Sequence, residues 1–385
     1  MQLDTWLKLN IDDIVLHRRW LHQHPEVGFK EFETSGYCIK NVKSYGYSPI
    51  QSNFMQTGFY ADIGSPNGKS IALRCDMDAL PIKEKNNCGY KSLKSGFSHA
   101  CGHDVHMAIQ LGVMKYFSEL EKVNGLVRFI FQPAEEMAPG GALSMIDSGV
   151  IDDIDMILGG HVQPKLDTGL VGLKAGAIAA HVDIIEINLS GPGGHTSRPE
   201  NSVDLILSTS RLVEMLNSEV NNKLSNQTPV VISFGSVDGG FTFNVIPSSV
   251  TLKGTLRYLE TDKRDKIMSV INKAIKQISV DTSAAIDFQV IDSSPVLYNN
   301  DKLHQIVRLS AIDALGKDMV VDLHESSMGG EDFAYYLERI EGYYMRIGCY
   351  DGSTTDIHTD TFDVDEKCIA SAIRVYVSAI LNYLG

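Results

Sequence analysis

The chain has 385 residues, 43% of them hydrophobic and 21% charged, which suits a soluble globular protein too long for one ordinary core, so two domains are expected. No stretch approaches the roughly 20 consecutive apolar residues that a helix crossing a bilayer needs, so no membrane-spanning helix is expected. The net charge of -14 argues against a nucleic-acid partner, because neutralising phosphates takes a basic surface that this sequence lacks.

The opening "MQLDTWLKLNIDD" carries acids early and has no basic stretch leading into an apolar one, so no signal peptide is expected and the cytoplasm is the expected compartment. Residues 4–21 follow helical spacing, with Trp6, Ile11, Ile14, Val15 and Leu21 recurring, and a second helix is expected over 31–44. The short apolar runs "TGFYADI", "SIALRC", "GLVRFIFQ" and "DMILGG" then alternate with helical stretches such as 104–121. Fully apolar strands alternating with helices predict a mostly parallel sheet covered on both faces. After residue 180 the pattern changes to apolar-polar alternation in "HVDIIEINLSG", "VVISFGSV", "SVTLKGTLRY" and "AIDFQVID", with helices expected over 202–226 and 261–279. That strand and helix order is ferredoxin-like. Beyond "SPV" near 294–296 the helix and strand alternation returns, ending in a helix near 365–384. The expected architecture is an α/β domain made of residues 1–180 and 293–385, interrupted by a small α+β domain over 181–292. Six cysteines (Cys38, Cys75, Cys88, Cys101, Cys349, Cys368), scattered and without an export signal, do not form a disulfide pattern.

Ligands of an open parallel sheet bind beyond the carboxyl ends of its strands. Here "LRCDMDALP" ends one strand with Asp76 and Asp78, "FIFQPAEE" another with Glu135 and Glu136, and "MILGGHVQP" a third with His161. "ACGHDVH" opens a helix with Cys101 and His103, and "DIHTD" adds His358 from a late loop. Thiolate and imidazole suit zinc, and the carboxylates also admit manganese, nickel or cobalt. Cys101, His103, Glu136, His161 and His358 outnumber the protein ligands of one catalytic zinc, so two divalent ions bridged by one ligand are expected. Adjacent Glu135 and Glu136 are expected to point apart from an extended segment, one binding metal and the other taking a proton from water.

Each residue also has a plainer reading. A lone Cys101 is ordinarily a small buried hydrophobe, and a Glu pair suits a helix N-terminus. Asp76 and Asp78 suit a turn before Pro81, His161 an ordinary loop, and His106 a helix surface or a supporting position. Cys101 as a nucleophile stays open, with His161 as its base, since His103 lies too near in sequence to face it.

In one order along the chain stand "RRWLHQHPEVGFKEFET", "ALRCDMDALPI", "HACGHDVHMA", "FQPAEE", "GGHVQP", "GPGGHTSRPENSVD", "NVIPSSVTLKGTLR", "MGGEDFAYY" and "DIHTDTF". Together they resemble the dinuclear metallo-aminoacylase and carboxypeptidase family, in the branch of N-acyl-amino-acid amidohydrolases, hippurate hydrolases and auxin-conjugate hydrolases. The resemblance implies that Cys101, His103, Glu136, His161 and His358 are metal ligands, Glu135 the general base, and Asp78 a carboxylate supporting the ligands; it gives Asp76 no role. It further implies that His195 stabilises the oxyanion, that Asn244 and Arg257 hold the substrate carboxylate, and that the inserted domain serves as lid and dimerisation surface. An Arg fork suits a carboxylate because it donates two parallel hydrogen bonds. Without the resemblance His195 reads as a loop residue, Asn244 as a turn former and Arg257 as a solvated strand residue.

The chain departs from the family pattern in three places. Cys75 replaces the usual alanine before "DMDALP" and is expected to be harmless, Thr359 and Asp360 follow His358 where relatives continue toward a proline, and "SRPENS" lacks a histidine after its proline. The expected activity is metal-dependent hydrolysis of an N-acyl amino acid by a homodimer or homotetramer. Carboxypeptidase or dipeptidase action on a small peptide is an alternative, and a non-catalytic metal-binding protein another, against which the intact Glu135 speaks.

Overall fold

Ser70–Asp76 and Leu126–Gln132 are buried at every position, as strands covered on both faces should be. A computed structural model supplies this arrangement and describes residues 2–385, position 292 by its backbone alone. The chain divides into two units: Met1–Ile178 with Tyr298–Glu325 and Asp332–Gly385, and Ala179–Leu297 with Ser326–Glu331.

Among the described residues, the first unit holds a seven-stranded sheet in the order Phe59–Gly64, Leu126–Gln132, Ser70–Asp76, Met156–Asp167, Glu341–Tyr350, Val171–Leu173, Val320–Asp322. Its four central strands run parallel, whereas Phe59–Gly64 pairs antiparallel with Leu126–Gln132 and Val171–Leu173 antiparallel with Glu341–Tyr350. Helix His103–Ser118 is buried along almost its whole length between helices Leu3–Gln23 and Lys367–Leu384. No helix among the described residues is long and apolar enough to cross a membrane.

The second unit is an antiparallel sheet in the order Ala285–Ser294, His181–Ser190, Ser249–Tyr258, Val230–Asp238. Alternate residues of these strands (Ile185, Ile187, Leu189; Leu252, Leu256) pack against Leu212, Leu216, Ile267 and Ile271 of helices Leu205–Leu216 and Arg264–Thr282. The helix expected over 202–226 starts later, where Asp204 caps it through the Leu207 N–H, and gives way to a π-helical stretch at Asn217–Leu224. Residues 326–331 belong to this unit although the sequence offers no periodic signal there. Ala179 bridges Ser327, Ala180 N–H donates to the Gly329 carbonyl, and Arg257 Nη1 donates to the Met328 carbonyl at 3.0 Å.

One buried charge cluster ties three segments of the first unit together. Arg18 is 1% exposed and donates to Asp104 at 2.7 Å, Asp363 at 2.6 Å and Glu366 at 3.2 Å. His22 lies 2.8 Å from the same Asp104 oxygen. Burial alone would raise the Asp104 carboxyl, but Arg18 and then His22 outweigh it and hold it well below the usual carboxylate range. Arg18→Met leaves Asp104 charged and underpaired, so a loss of about 3–5 kcal/mol in denaturant unfolding is expected. A carboxyl depressed in the folded state stabilises above its unfolded pKa and loses that contribution as pH falls, so the deficit should narrow on acidification through about pH 4. A deficit independent of pH would remove Asp104 from the explanation.

Candidate metal centre

Gly102 sets the turn between Cys101 and His103 at φ +89°, and a Cβ there would stand 2.5 Å from Val162 Cγ2, so only glycine fits. His358 itself has φ +61°, uncommon outside glycine, and its N–H donates to the Ala100 carbonyl at 2.7 Å. His161 lies inside the strand Met156–Asp167, beyond Leu158, where the register with Ser70–Asp76 stops. After Gln132 the chain does not continue extended: Ala134 has φ +52° and Glu135 and Glu136 form a turn. Both carboxylates therefore reach the same imidazole, Glu135 Oε2 at 3.9 Å and Glu136 Oε1 at 4.0 Å from His103 Nε2. The expectation that they point apart assumed an extended backbone and is corrected by this turn.

Two sets of potential ligands share one atom. Cys101, His103 and His161 form one, Cys101, Glu136 and His358 the other, each with its ligand atoms within 4.8 Å of one another. Cys101 Sγ lies 3.2 Å from His161 Nε2 and 3.3 Å from His358 Nε2, and His358 Nε2 lies 3.0 Å from Glu136 Oε1. A tetrahedral ion with bonds of about 2.0–2.3 Å holds its ligand atoms about 3.5 Å apart, so these spacings suit one ion in each set. Nε2 of the buried His103 has no hydrogen-bond partner, which also fits a metal ligand.

The electrostatics fit as well. Burial opposes charge on His103, but Asp76, Asp78 and Cys101 outweigh it and raise its pKa well above the imidazole range. Burial raises the Glu136 carboxyl, yet His358 and His103 hold it below its usual value, and the same Glu136 contact raises His358. The site thus gathers negative charge around His103 and His358, and metal uptake would displace the protons that these imidazoles hold. Burial, then Glu136, pushes the Cys101 thiol well above its usual range. A nucleophilic cysteine needs the opposite shift, which weakens that alternative. Burial, then His106 and Arg346, keeps His161 neutral, and its Nδ1–H donates to the Val162 carbonyl at 2.7 Å, leaving the Nε2 lone pair toward Cys101.

Around these potential ligands lie partners that the sequence did not resolve. His106 is buried, not a helix-surface residue: its Nδ1–H donates to Asp76 at 2.7 Å and its Nε2 accepts the Val162 N–H at 3.0 Å. Asp76 also accepts from Arg74 at 2.9 Å, and Arg74 reaches Asp332 at 2.7 Å. The available signal was spacing, since His103 and His106 stand three apart on one helix face. Asp78 takes the N–H groups of Glu135 and Glu136, each at 3.0 Å, and lies 3.3 Å from His103 Nδ1. Cys75 is buried and belongs to no potential ligand set among the described residues.

His195, Asn244 and Arg257 belong to the second unit. His195 is exposed on the short strand Gly194–His195, which pairs with Val245–Ile246, and Thr196 N–H donates to the Asn244 carbonyl at 3.2 Å. His195 Nδ1 accepts the Ser197 N–H at 3.1 Å, so Nε2 carries the ring proton. Arg257 is half-buried rather than solvated, and one arm is spent on the Met328 carbonyl.

The model of peptidase family M20/M25/M40 matches residues 72–382. The N-acetyl-L-cysteine deacetylase of Bacillus subtilis is 38% identical over 357 residues, covering 92% of this chain and 84% of that protein. The N-acetyldiaminopimelate deacetylase of Bacillus pumilus is 33% identical over 380 residues, covering 98% of this chain and 100% of that protein. The solved Bacillus subtilis YXEP protein, described as a dinuclear metal binding peptidase, superimposes with a TM-score of 0.86 at 31% identity, covering 98% of this chain and 99% of that one.

Proposed function

The chain belongs to peptidase family M20/M25/M40, and from that premise we propose that it hydrolyses the amide bond between an acyl group and an amino acid with a free carboxylate. The observation that carries this reading is the pair of ligand sets meeting at Cys101, with Glu135 outside both. Its named relatives are deacetylases of N-acetyl amino acids, and the YXEP protein supports two ions rather than one. Cys101, His103 and His161 would hold one ion, and Cys101, Glu136 and His358 the other, with zinc, manganese, nickel and cobalt all compatible with these donors. When bound, the ions supply Lewis acidity toward water and the amide carbonyl.

Glu135 takes the proton of the attacking water and returns it to the leaving amine. Asp78 fixes both the Glu135–Glu136 turn and the His103 ring. To His195 we assign donation from its Nε2–H to the developing oxyanion, and to Asn244 and Arg257 the capture of the substrate carboxylate. We further propose a homodimer with the second unit as its lid and dimerisation domain, working in the cytoplasm, where six free cysteines are at home.

Metal-loaded protein should hydrolyse N-acetyl amino acids, lose that activity to a chelator and regain it with metal; activity that survives complete metal removal overturns the reading. Arg257→Ala should raise KM about 10- to 100-fold, the range of one charged hydrogen bond. Wild-type enzyme should show the same increment on a substrate amidated at that carboxylate, and the variant should not distinguish the two substrates. A variant that still prefers the free carboxylate by the full factor takes this role from Arg257.

A further inference from the structure

The stretch "HPEVGFKEF", residues 24–32, supplies none of the residues assigned above. It nevertheless places one carboxylate directly against the turn that carries Glu135 and Glu136. Glu31 is fully buried; its Oε1 accepts the Ala134 N–H at 2.8 Å and its Oε2 accepts the Thr57 hydroxyl at 2.6 Å. Ala134 is the residue whose φ of +52° swings the chain away from the strand and into Glu135. An L-residue rarely holds that conformation without outside help. Its carbonyl accepts the Gly141 N–H at 3.1 Å, and its Cβ packs on Gly28, where an added Cβ would stand 2.9 Å away. With Asp78 taking the next two amides, the N–H groups of 134, 135 and 136 all end on two buried carboxylates.

We propose that Glu31 is a positioning residue for the metal centre: by accepting the Ala134 N–H it holds the left-handed turn that aims Glu135 and Glu136 at His103. This rests on the metallohydrolase reading above. Burial, with Asp78 adding to it, pushes the Glu31 carboxyl up to about 7, against the pull of Thr57 and Ala134. A carboxyl kept in so unfavourable a place is there for its geometry, and either protonation state leaves an oxygen for the Ala134 N–H. The acceptor, not the charge, is what the turn requires.

The test is titration of the full-length metal-free protein with cobalt(II), followed by visible absorption, beside kcat and KM on an N-acetyl amino acid. Glu31→Gln keeps the acceptor and should behave as wild type in both. Glu31→Met should bind one cobalt ion normally and the other about 10- to 100-fold more weakly, with an altered spectrum, the scale on which lost support around a ligand is felt. Its kcat should fall while KM holds. Adding Ala134→Gly to Glu31→Met should recover part of both losses, because glycine takes the left-handed conformation freely. Unchanged cobalt affinity and kcat in Glu31→Met, or a loss that Ala134→Gly leaves untouched, overturns the proposal. If Glu31→Met does not fold, Glu31→Asp decides: its shorter side chain withdraws the acceptor from the Ala134 N–H, which should weaken the same cobalt step and lower kcat, and wild-type behaviour overturns it. Wild-type protein that takes up no cobalt overturns the metal reading itself and the role of Glu31 with it. Wild-type uptake of two ions with Glu31→Met unaffected overturns the role of Glu31 alone.

Discussion

Glu135→Gln is expected to lower kcat by about a thousandfold while the protein still binds about two metal ions per chain. The substitution keeps the size of the side chain and its place in the turn that Asp78 holds, and removes only the capacity to take a proton. Glu135 stands outside both Cys101 sets, its Oε2 3.9 Å from His103 Nε2, whereas Glu136 belongs to the set with His358. Glu136→Gln should therefore show the opposite profile, with metal content falling first and turnover falling because of it. A thousandfold loss corresponds to about 4 kcal/mol in the barrier, more than one ordinary hydrogen bond contributes and within the reach of general base catalysis. Metal analysis and steady-state kinetics on the two variants decide the assignment. Near wild-type turnover in Glu135→Gln would sink the mechanism, and loss of metal from it would make Glu135 a ligand.

Why the sequence revealed some of this and hid the rest follows from how each feature is encoded. The strand Ser249–Tyr258 was legible because alternation over ten residues admits one reading, and Ser70–Asp76 because the apolar run Ile71–Leu73, bounded by polar residues, has to be buried. The potential ligands were legible because cysteine, histidine and glutamate crowded at strand ends have few structural uses there. What held them was hidden, since it depends on partners far apart in the chain. Arg74 meets Asp332 across 258 positions and Glu31 meets Ala134 across 103. The turn at Ala134 carries no glycine to announce it, because it is imposed by Glu31 and Asp78 from outside. "PAEE" read as extended for that reason, and the two carboxylates were expected to part when they in fact converge. Asp76 looked idle by the same logic: its partner His106 comes from a helix 30 positions further on, although Arg74 stands beside it on the same strand.

Removing Cys101 should be the most damaging single change to metal binding, and the geometry says in what pattern. His161→Ala and His358→Ala each delete one member of one set, so each should lower the metal content from about two ions toward about one. Cys101 belongs to both sets, with its Sγ 3.2 Å from His161 Nε2 and 3.3 Å from His358 Nε2, so Cys101→Ala should weaken both ions together. Each affinity should fall by more than the roughly 10- to 100-fold that loss of a supporting hydrogen bond costs a metal site. Elemental analysis and cobalt titration of the three variants separate a shared ligand from an ordinary one. A Cys101→Ala protein that loses one ion and keeps the other would make the thiol a member of one set only. One that keeps both ions yet no longer turns over would restore the nucleophile reading, which the raised thiol pKa argues against. The combination that fits this site is loss of both ions and of activity, with the fold intact, because Cys101 is the residue that the two sets have in common.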